Sequence, residues 1–291
     1  MSLPLLVIGG DGLIGRTLVA HCHKIGLPVA ATSRSRSAPS AIHLDLETTT
    51  WPSLPKCLGA IMCAAITRQD LCRKDPAGTR KINVVRTVEL AKALVESGAF
   101  VTFLSTNLVF DGSKACQPAD APTSPRTEYG RQKAEAETRL AALGNQTAIV
   151  RLTKVLHPKL PLFLSWERDL SEARRIRAFS DYFCSPILLS QVVAGITRIT
   201  AEHRAGFWQF SGPADVSYAQ LALSYAKAMG KESLIACEAT PPGVLEHLPA
   251  HTTLDTGRAA RELSIQFPSA EQILSDCIPT GISAGRNAAQ A

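Results

Sequence analysis

Tyr129 and Lys133 stand four residues apart in the string Tyr129-Gly130-Arg131-Gln132-Lys133, a spacing that puts both on one face of a helix. An ammonium beside a phenol favours the phenolate and lowers the tyrosine pKa from about 10. A phenol tuned in this way can exchange a proton with a carbonyl or alcohol oxygen near neutral pH. The run Leu104-Ser105-Thr106-Asn107-Leu108-Val109-Phe110-Asp111-Gly112 follows an apolar strand pattern, so the Ser105 and Thr106 hydroxyls fall at its carboxyl end. A hydroxyl there can hydrogen-bond the reacting oxygen alongside Tyr129, although a Ser/Thr-capped turn uses the same residues.

Taken alone, Tyr-x-x-x-Lys describes many ordinary helix faces. Its weight here comes from Gly9-Gly10-Asp11-Gly12-Leu13-Ile14-Gly15, directly after the apolar run 3–8. Strand, glycine turn and helix in that order form the dinucleotide-binding fingerprint. Gly9 lets the chain turn out of the strand, Gly12 lets a pyrophosphate approach the backbone, and Gly15 lets the helix pack closely on the sheet. The helix start at Leu13 and Ile14 offers free N–H groups and a positive dipole end to the phosphates. The second strand pattern ends Thr32-Ser33-Arg34-Ser35-Arg36, where a dinucleotide fold reads the adenosine ribose. It carries no acid to accept from a 2′-hydroxyl, so Ser33 and Arg34 are expected to bind a 2′-phosphate. The expected cofactor is therefore NADP(H), with NAD(H) as the alternative. Asp45 and Leu46 can border the adenine, and Asp45 can equally start a helix.

A parallel sheet is the scaffold that would bring these pieces to one edge. Strand patterns at 3–8, 28–33, 60–64, 100–105 and 148–152 alternate with helix patterns at 17–25, 79–97 and 128–143. The expected class is α/β, a Rossmann-type doubly wound parallel sheet with ligands at the carboxyl ends of its strands. The dinucleotide-binding domain is expected over 1–155. Beyond it the rhythm loosens around Pro158, Pro161 and Pro186, with helix patterns at 189–201 and 218–229 and a short strand at 206–211. A smaller substrate lobe is expected over 156–279, partly interleaved with the first domain, and a disordered tail over 280–291.

The chain has 291 residues, 45% hydrophobic and 19% charged, enough for a large core. No apolar run reaches membrane-spanning length, so no membrane partner is expected. The N-terminus enters a strand without a basic leader, and eight cysteines include no C-x-x-C pair. Both observations favour a reduced, cytoplasmic location. The formal charge of +6 suits an anionic nucleotide ligand. Basic residues form no stripe interleaved with aromatics, which argues against a nucleic-acid partner. His21-Cys22-His23 has no second ligand pair, so no metal is expected.

With these motifs in place, the chain resembles the extended short-chain dehydrogenase/reductases, specifically their dTDP-4-dehydrorhamnose reductase (sugar-nucleotide-binding) branch, from about residue 3 to 277. Residues 105–112 resemble its S-T-D-Y-V-F-D-G segment, and Tyr129 to Lys133 its Y-G-x-x-K. Cys63-Ala64-Ala65 resembles the N-x-A-A segment lining the cofactor, and Asn83-Val84 the N-V pair of the central helix. Ser211-Gly212-Pro213 and Leu254-Asp255-Thr256 resemble parts of the substrate lobe. The resemblance implies catalytic roles for Thr106, Tyr129 and Lys133, contact of Lys133 with the nicotinamide ribose, cofactor contacts at Ala64 and Ala65, and a homodimer. It implies carbohydrate biosynthesis: NADPH-dependent reduction of a nucleotide-linked 4-keto-6-deoxy sugar. Asn107 and Leu108 replace the family's usual Asp and Tyr, Pro118 its usual acid, and Leu248 a frequent arginine. These departures fall on the substrate side. Asn107, Tyr129 and Trp166 are the substrate-binding candidates; Trp166 can offer a stacking face and the Arg174–Arg177 cluster a pyrophosphate contact, with core packing and a solvated helix face as the default readings of each alone. Two other readings stay open, a nucleotide-sugar epimerase or dehydratase and a non-catalytic NADP-binding regulatory subunit.

Overall fold

The apolar run near the N-terminus forms β1 (Leu5–Ile8), and its four side chains alternate between two cores. Leu5 and Val7 join one buried cluster, Leu6 and Ile8 the other. A strand covered on both faces by helices needs this continuous hydrophobicity. A computed structural model describes residues 3–36, 41–48 and 50–278; the tail expected at 280–291 lies outside them. After β1 come α1 (Leu13–Lys24), β2 (Val29–Ser33), β3 (Ile42–His43), β4 (Gly59–Met62), α2 (Gln69–Lys74), α3 (Pro76–Arg80) and α4 (Thr87–Glu96). Then follow β5 (Phe100–Thr106), α5 (Glu128–Ala141), β6 (Thr147–Leu152), β7 (Lys154–Leu156), α6 (Pro161–Ser171), β8 (Ile176–Phe179), β9 (Phe183–Cys184) and β10 (Pro186–Leu188). The last elements are α7 (Leu189–Ala201), β11 (Gly206–Phe210), β12 (Val216–Ser217), α8 (Tyr218–Ala228), β13 (Ile235–Glu238), α9 (Gly257–Leu263) and α10 (Ala270–Cys277).

Seven parallel strands form the central sheet in the order β11-β6-β5-β4-β1-β2-β3. The chain is thus a Rossmann-type α/β protein. The order reverses between β1 and β4, and that switch point is where such sheets bind ligands. Leu18 and Cys22 of α1 pack with Val192, Val193 and Ile196 of α7 on one face. Val88, Leu90 and Leu94 of α4 pack with Ala136 and Leu140 of α5 on the other. The seventh strand, β11, arrives from far along the chain and pairs with β6, burying Trp208 and Phe210.

A third core lies outside the sheet, where Phe163, Trp166 and Leu170 of α6 meet Leu221 and Tyr225 of α8 and Ile273 and Leu274 of α10. Around it run three two-stranded ladders, β7 with β10, β9 with β12, and β8 with β13. Sequence periodicity predicts none of these ladders apart from the general loosening of the pattern, because strands of two to four residues are too short to show a period.

The helix expected over 79–97 is not uniform. Residues Lys81–Arg86 widen into a π turn between α3 and α4. Asn83, buried within that turn, accepts a hydrogen bond from the Ile66 N–H at 2.8 Å and donates to the Ile66 carbonyl at 2.9 Å and to Gln132 Oε1 at 2.8 Å. Gln132 donates onward to Thr79 Oγ1 at 2.9 Å and Glu128 Oε1 at 3.0 Å. This buried network ties the loop after β4 to α5. Single π turns of this kind often sit beside functional sites.

Candidate active site

The glycine turn and the ends of β2 and β4 enclose a cleft of about 260 Å³ at the switch point. Gly9, Gly12, Arg34, Asp45, Leu46, Ala64 and Ala65 all line it, as the sequence pattern predicts. Asp11, Thr32, Leu44, Glu47, Cys63, Ile66 and Ile82 complete the wall. Ile66 and Ile82 carry no motif; the only hint of them is their closeness in sequence to Ala65 and Asn83. Gly9 has φ +88°, and a Cβ there would lie 2.8 Å from the Ala64 nitrogen. At Gly15 a Cβ would lie 2.2 Å from the Gly9 carbonyl oxygen. The close approach of α1 to the turn therefore depends on glycine at both positions. Gly15→Ala is expected to shift the turn, destabilise the fold by about 1–3 kcal/mol and weaken dinucleotide binding. Wild-type affinity in a fluorescence titration with NADPH would count against this account of the turn.

Gly12 caps α1 with no side-chain hydrogen bond, and the first turn holds no acidic residue. Its leading N–H groups thus have no side-chain cap and no acid within their own turn, the arrangement a phosphate needs. Leu13 and Ile14 contribute backbone to that turn while their side chains pack on the core. Ser33 is buried, and its hydroxyl donates to the Asp11 carboxylate and accepts from the Ser35 N–H at 2.8 Å. Its part is to hold the glycine turn against β2 rather than to face a ligand. Arg34 is exposed at the cleft and has no hydrogen bond or ion pair among the described residues.

Thr106 ends β5, and Asn107 opens the short turn Asn107–Val109. Thr106 Oγ1 accepts from the Leu108 N–H at 3.2 Å, so it caps this turn as well as standing at the strand end. Tyr129 and Lys133 lie in α5, which Thr127 caps by accepting from the Gly130 N–H. A Cβ on Gly130 would lie 2.2 Å from the Leu108 carbonyl oxygen, so glycine lets the start of α5 sit against the Thr106 turn. Both side chains are buried, Tyr129 at 8% exposure and Lys133 at 3%.

The electrostatics differ from the sequence expectation. Burial pushes the Tyr129 phenol well above its ordinary range, and the Cys72 thiol adds to the shift. Burial pushes the Lys133 ammonium down to about 7, against smaller opposing effects of Glu137 and Cys63. Lys133 Nζ donates to the Leu104 carbonyl and lies 3.7 Å from the centre of the Phe103 ring. In this state the lysine is held by β5 and does not acidify the phenol. Tyr129 carries its proton at neutral pH, which suits a proton donor.

Two expectations need correction. Trp166 does not offer a stacking face; it is 5% exposed and packs its rings on Phe163 and Tyr225 in the third core. Within the cluster expected to hold a pyrophosphate, Arg174 is engaged by Asp169 and Glu172 and Arg177 by Glu238. Local sequence could not separate a buried indole from a ligand platform, since both use the same residue type.

A family model described as the RmlD substrate binding domain matches residues 3–281. Methionine adenosyltransferase 2 subunit beta of Xenopus tropicalis is 30% identical over 158 residues, covering 52% of this chain; the match spans only 46% of that relative's length. The spore coat polysaccharide biosynthesis protein SpsK of Bacillus subtilis (strain 168) is 25% identical over 266 residues, 90% of this chain and 92% of that one. A crystal structure of dTDP-4-dehydrorhamnose reductase from Bacillus anthracis in complex with NADP superposes with a TM-score of 0.82, covering 94% of this chain and 98% of that chain at 19% identity. At that identity the structural match speaks for the fold.

Proposed function

Because the chain belongs to the RmlD substrate binding domain family, we propose that it is an NADPH-dependent reductase of a nucleotide-linked 4-keto-6-deoxy sugar. The observation that carries this reading is the close packing, through Gly130, of the start of the helix that holds Tyr129 and Lys133 on the Thr106 turn, in a sheet whose switch point carries a glycine-lined cleft. The cleft fits a dinucleotide on its own terms, with an uncapped helix start for the diphosphate and an unengaged Arg34 for a 2′-phosphate. Gly9, Gly12, Ala64 and Ala65 would bring backbone to the cofactor, and Asp45 and Leu46 would border its adenine. When bound, the nicotinamide supplies a hydride to the ketone carbon.

The rest of the work falls to the protein's own groups. Tyr129, kept protonated by its burial, gives the phenolic proton to the ketone oxygen. Thr106 orients that oxygen through its hydroxyl. Lys133 would hold the cofactor ribose through its ammonium, which also donates to the Leu104 carbonyl. Asn107 meets the sugar at the mouth of the site. Residues 1–155, completed by α7 and β11, act as the cofactor domain, and the rest of 156–279 acts as the interleaved substrate lobe. The protein works in the cytoplasm as a homodimer.

Purified protein given NADPH and a panel of nucleotide-linked 4-keto-6-deoxy sugars is expected to consume NADPH in step with alcohol formed. A panel that yields no turnover rejects the reductase reading. A second reading has support in the 30% identity to methionine adenosyltransferase 2 subunit beta: a non-catalytic NADP-binding subunit. Tight NADPH binding without turnover, together with co-purification of a partner enzyme, would select it. Cofactor choice has its own test. Loss of a charged phosphate contact costs roughly 10- to 100-fold in affinity, so Arg34→Ala is expected to cut the NADPH-over-NADH preference by that order. An unchanged ratio of the two dissociation constants would remove Arg34 from the 2′-phosphate site.

A further inference from the structure

A second cleft, of about 180 Å³, opens beside the Thr106 turn and shares Asn107 with it. Its other wall comes from the small ladders of the C-terminal half. Lys154 begins β7, Tyr182 precedes β9, and Tyr218 begins α8, with the Tyr218 N–H donating to the Tyr182 carbonyl at 3.0 Å. The β9–β12 pairing sets these segments edge to edge. The Tyr182 and Tyr218 rings stack at 4.6 Å between centroids. Lys154 Nζ lies 5.6 Å from the centre of the Tyr218 ring and makes no hydrogen bond or ion pair among the described residues. Leu152 is the register partner of Thr106 across β5 and β6, so Lys154 stands two residues past the end of the catalytic strand pair.

A half-buried ammonium without a counter-ion is costly, and an anion that enters the cleft removes that cost. Burial already depresses the Lys154 ammonium, with only the Cys184 thiol acting the other way. Asp215, which acts on Cys184, is committed elsewhere: one oxygen accepts from the Thr252 N–H at 2.7 Å and hydroxyl at 2.6 Å, the other lies 3.1 Å from His251 Nδ1. The cleft therefore presents a cation, an aromatic wall and the amide of Asn107, next to the groups assigned to proton transfer.

We propose that Lys154 is a specificity-determining residue that binds an anionic oxygen group of the substrate in this second cleft. The inference rests on the reading of the protein as a nucleotide-sugar reductase and narrows its substrate. Two sources of the anion share this chemistry, the diphosphate of the nucleotide and a carboxylate on the sugar ring; the second would replace the 6-deoxy sugar proposed above, whose C6 is a methyl group, by a hexuronate.

The test uses calorimetry on the NADPH-bound protein with three probes: a nucleoside diphosphate, a neutral nucleotide-linked hexose and a nucleotide-linked hexuronate. Lys154→Met keeps the side-chain volume and removes the charge. It is expected to weaken binding about 10-fold or more, with NADPH affinity unchanged as the control for folding. Lys154→Arg is expected to keep most of the affinity. A loss shared by all three probes assigns the diphosphate, and a loss confined to the hexuronate assigns the ring carboxylate. Wild-type affinity of Lys154→Met for every probe, or no binding of any probe to the wild type, overturns the proposal. If the Lys154-dependent binding is present but no keto sugar turns over, the anion cleft stands and the reductase reading fails instead.

Discussion

Tyr129→Phe is expected to lower kcat by roughly 10²–10⁴-fold, the usual share of a positioned general acid, while NADPH binds as in the wild type. The substitution removes one oxygen from a side chain that is almost wholly enclosed. That hydroxyl makes no hydrogen bond to the described residues, so its loss orphans no protein group. Stability should therefore hold, and any fall in rate reports on chemistry. Burial keeps the phenol protonated throughout the neutral range, so a reductase using it as donor should show no alkaline fall in rate from Tyr129 near pH 7. A Tyr129→Phe variant with wild-type kcat would remove the proton-donor role. The outcome also separates the two functional readings, because a binding subunit has no rate to lose.

Arg151→Ala is expected to destabilise the protein by about 3–5 kcal/mol, the usual cost of stranding one member of a buried ion pair. Arg151 and Glu137 are 3% and 2% exposed at their side chains, with Nη2 and Oε2 2.8 Å apart. Arg151 also donates to the Ala119 carbonyl at 2.9 Å and lies between the rings of Phe110 and Phe207, 4.8 and 4.7 Å from their centres. One guanidinium thus joins β6, α5, β11 and the loop beyond the Thr106 turn. In urea unfolding, Arg151→Met should lose nearly as much as Arg151→Ala. The double variant Arg151→Met/Glu137→Leu should recover much of the loss, since no charge is then left alone. A single-variant loss below about 1 kcal/mol would be too small for a buried pair.

The glycine-lined cleft was legible in the sequence because the pattern that forms it is local. Gly9, Gly12 and Gly15 report a turn whose geometry is decided within seven residues, and the same is true of the Tyr129–Lys133 helix face. The elements of the first half were readable for a related reason, since strands such as Phe100–Thr106 and helices such as Glu128–Ala141 are long enough to show their period. Ladders such as Phe183–Cys184 with Val216–Ser217 were not. Nor was the π turn at Lys81–Arg86, whose buried Asn83 is held by Ile66 and Gln132, residues 17 and 49 positions away.

What the sequence determined by itself was the α/β class, the glycine turn and the order of the hydroxyl, phenol and ammonium along the chain. Only the tertiary structure decided how those groups are charged and what surrounds them. Lys133 sits under Phe103 and Leu104 instead of acidifying Tyr129, Trp166 is core instead of platform, and Lys154 faces a cleft whose lining is drawn from segments spread between Gln69 and Thr252. Spacing along a helix or turn is set by bonds between near neighbours. Burial and counter-charge are sums over whatever the fold packs around a group, and no local pattern carries that sum.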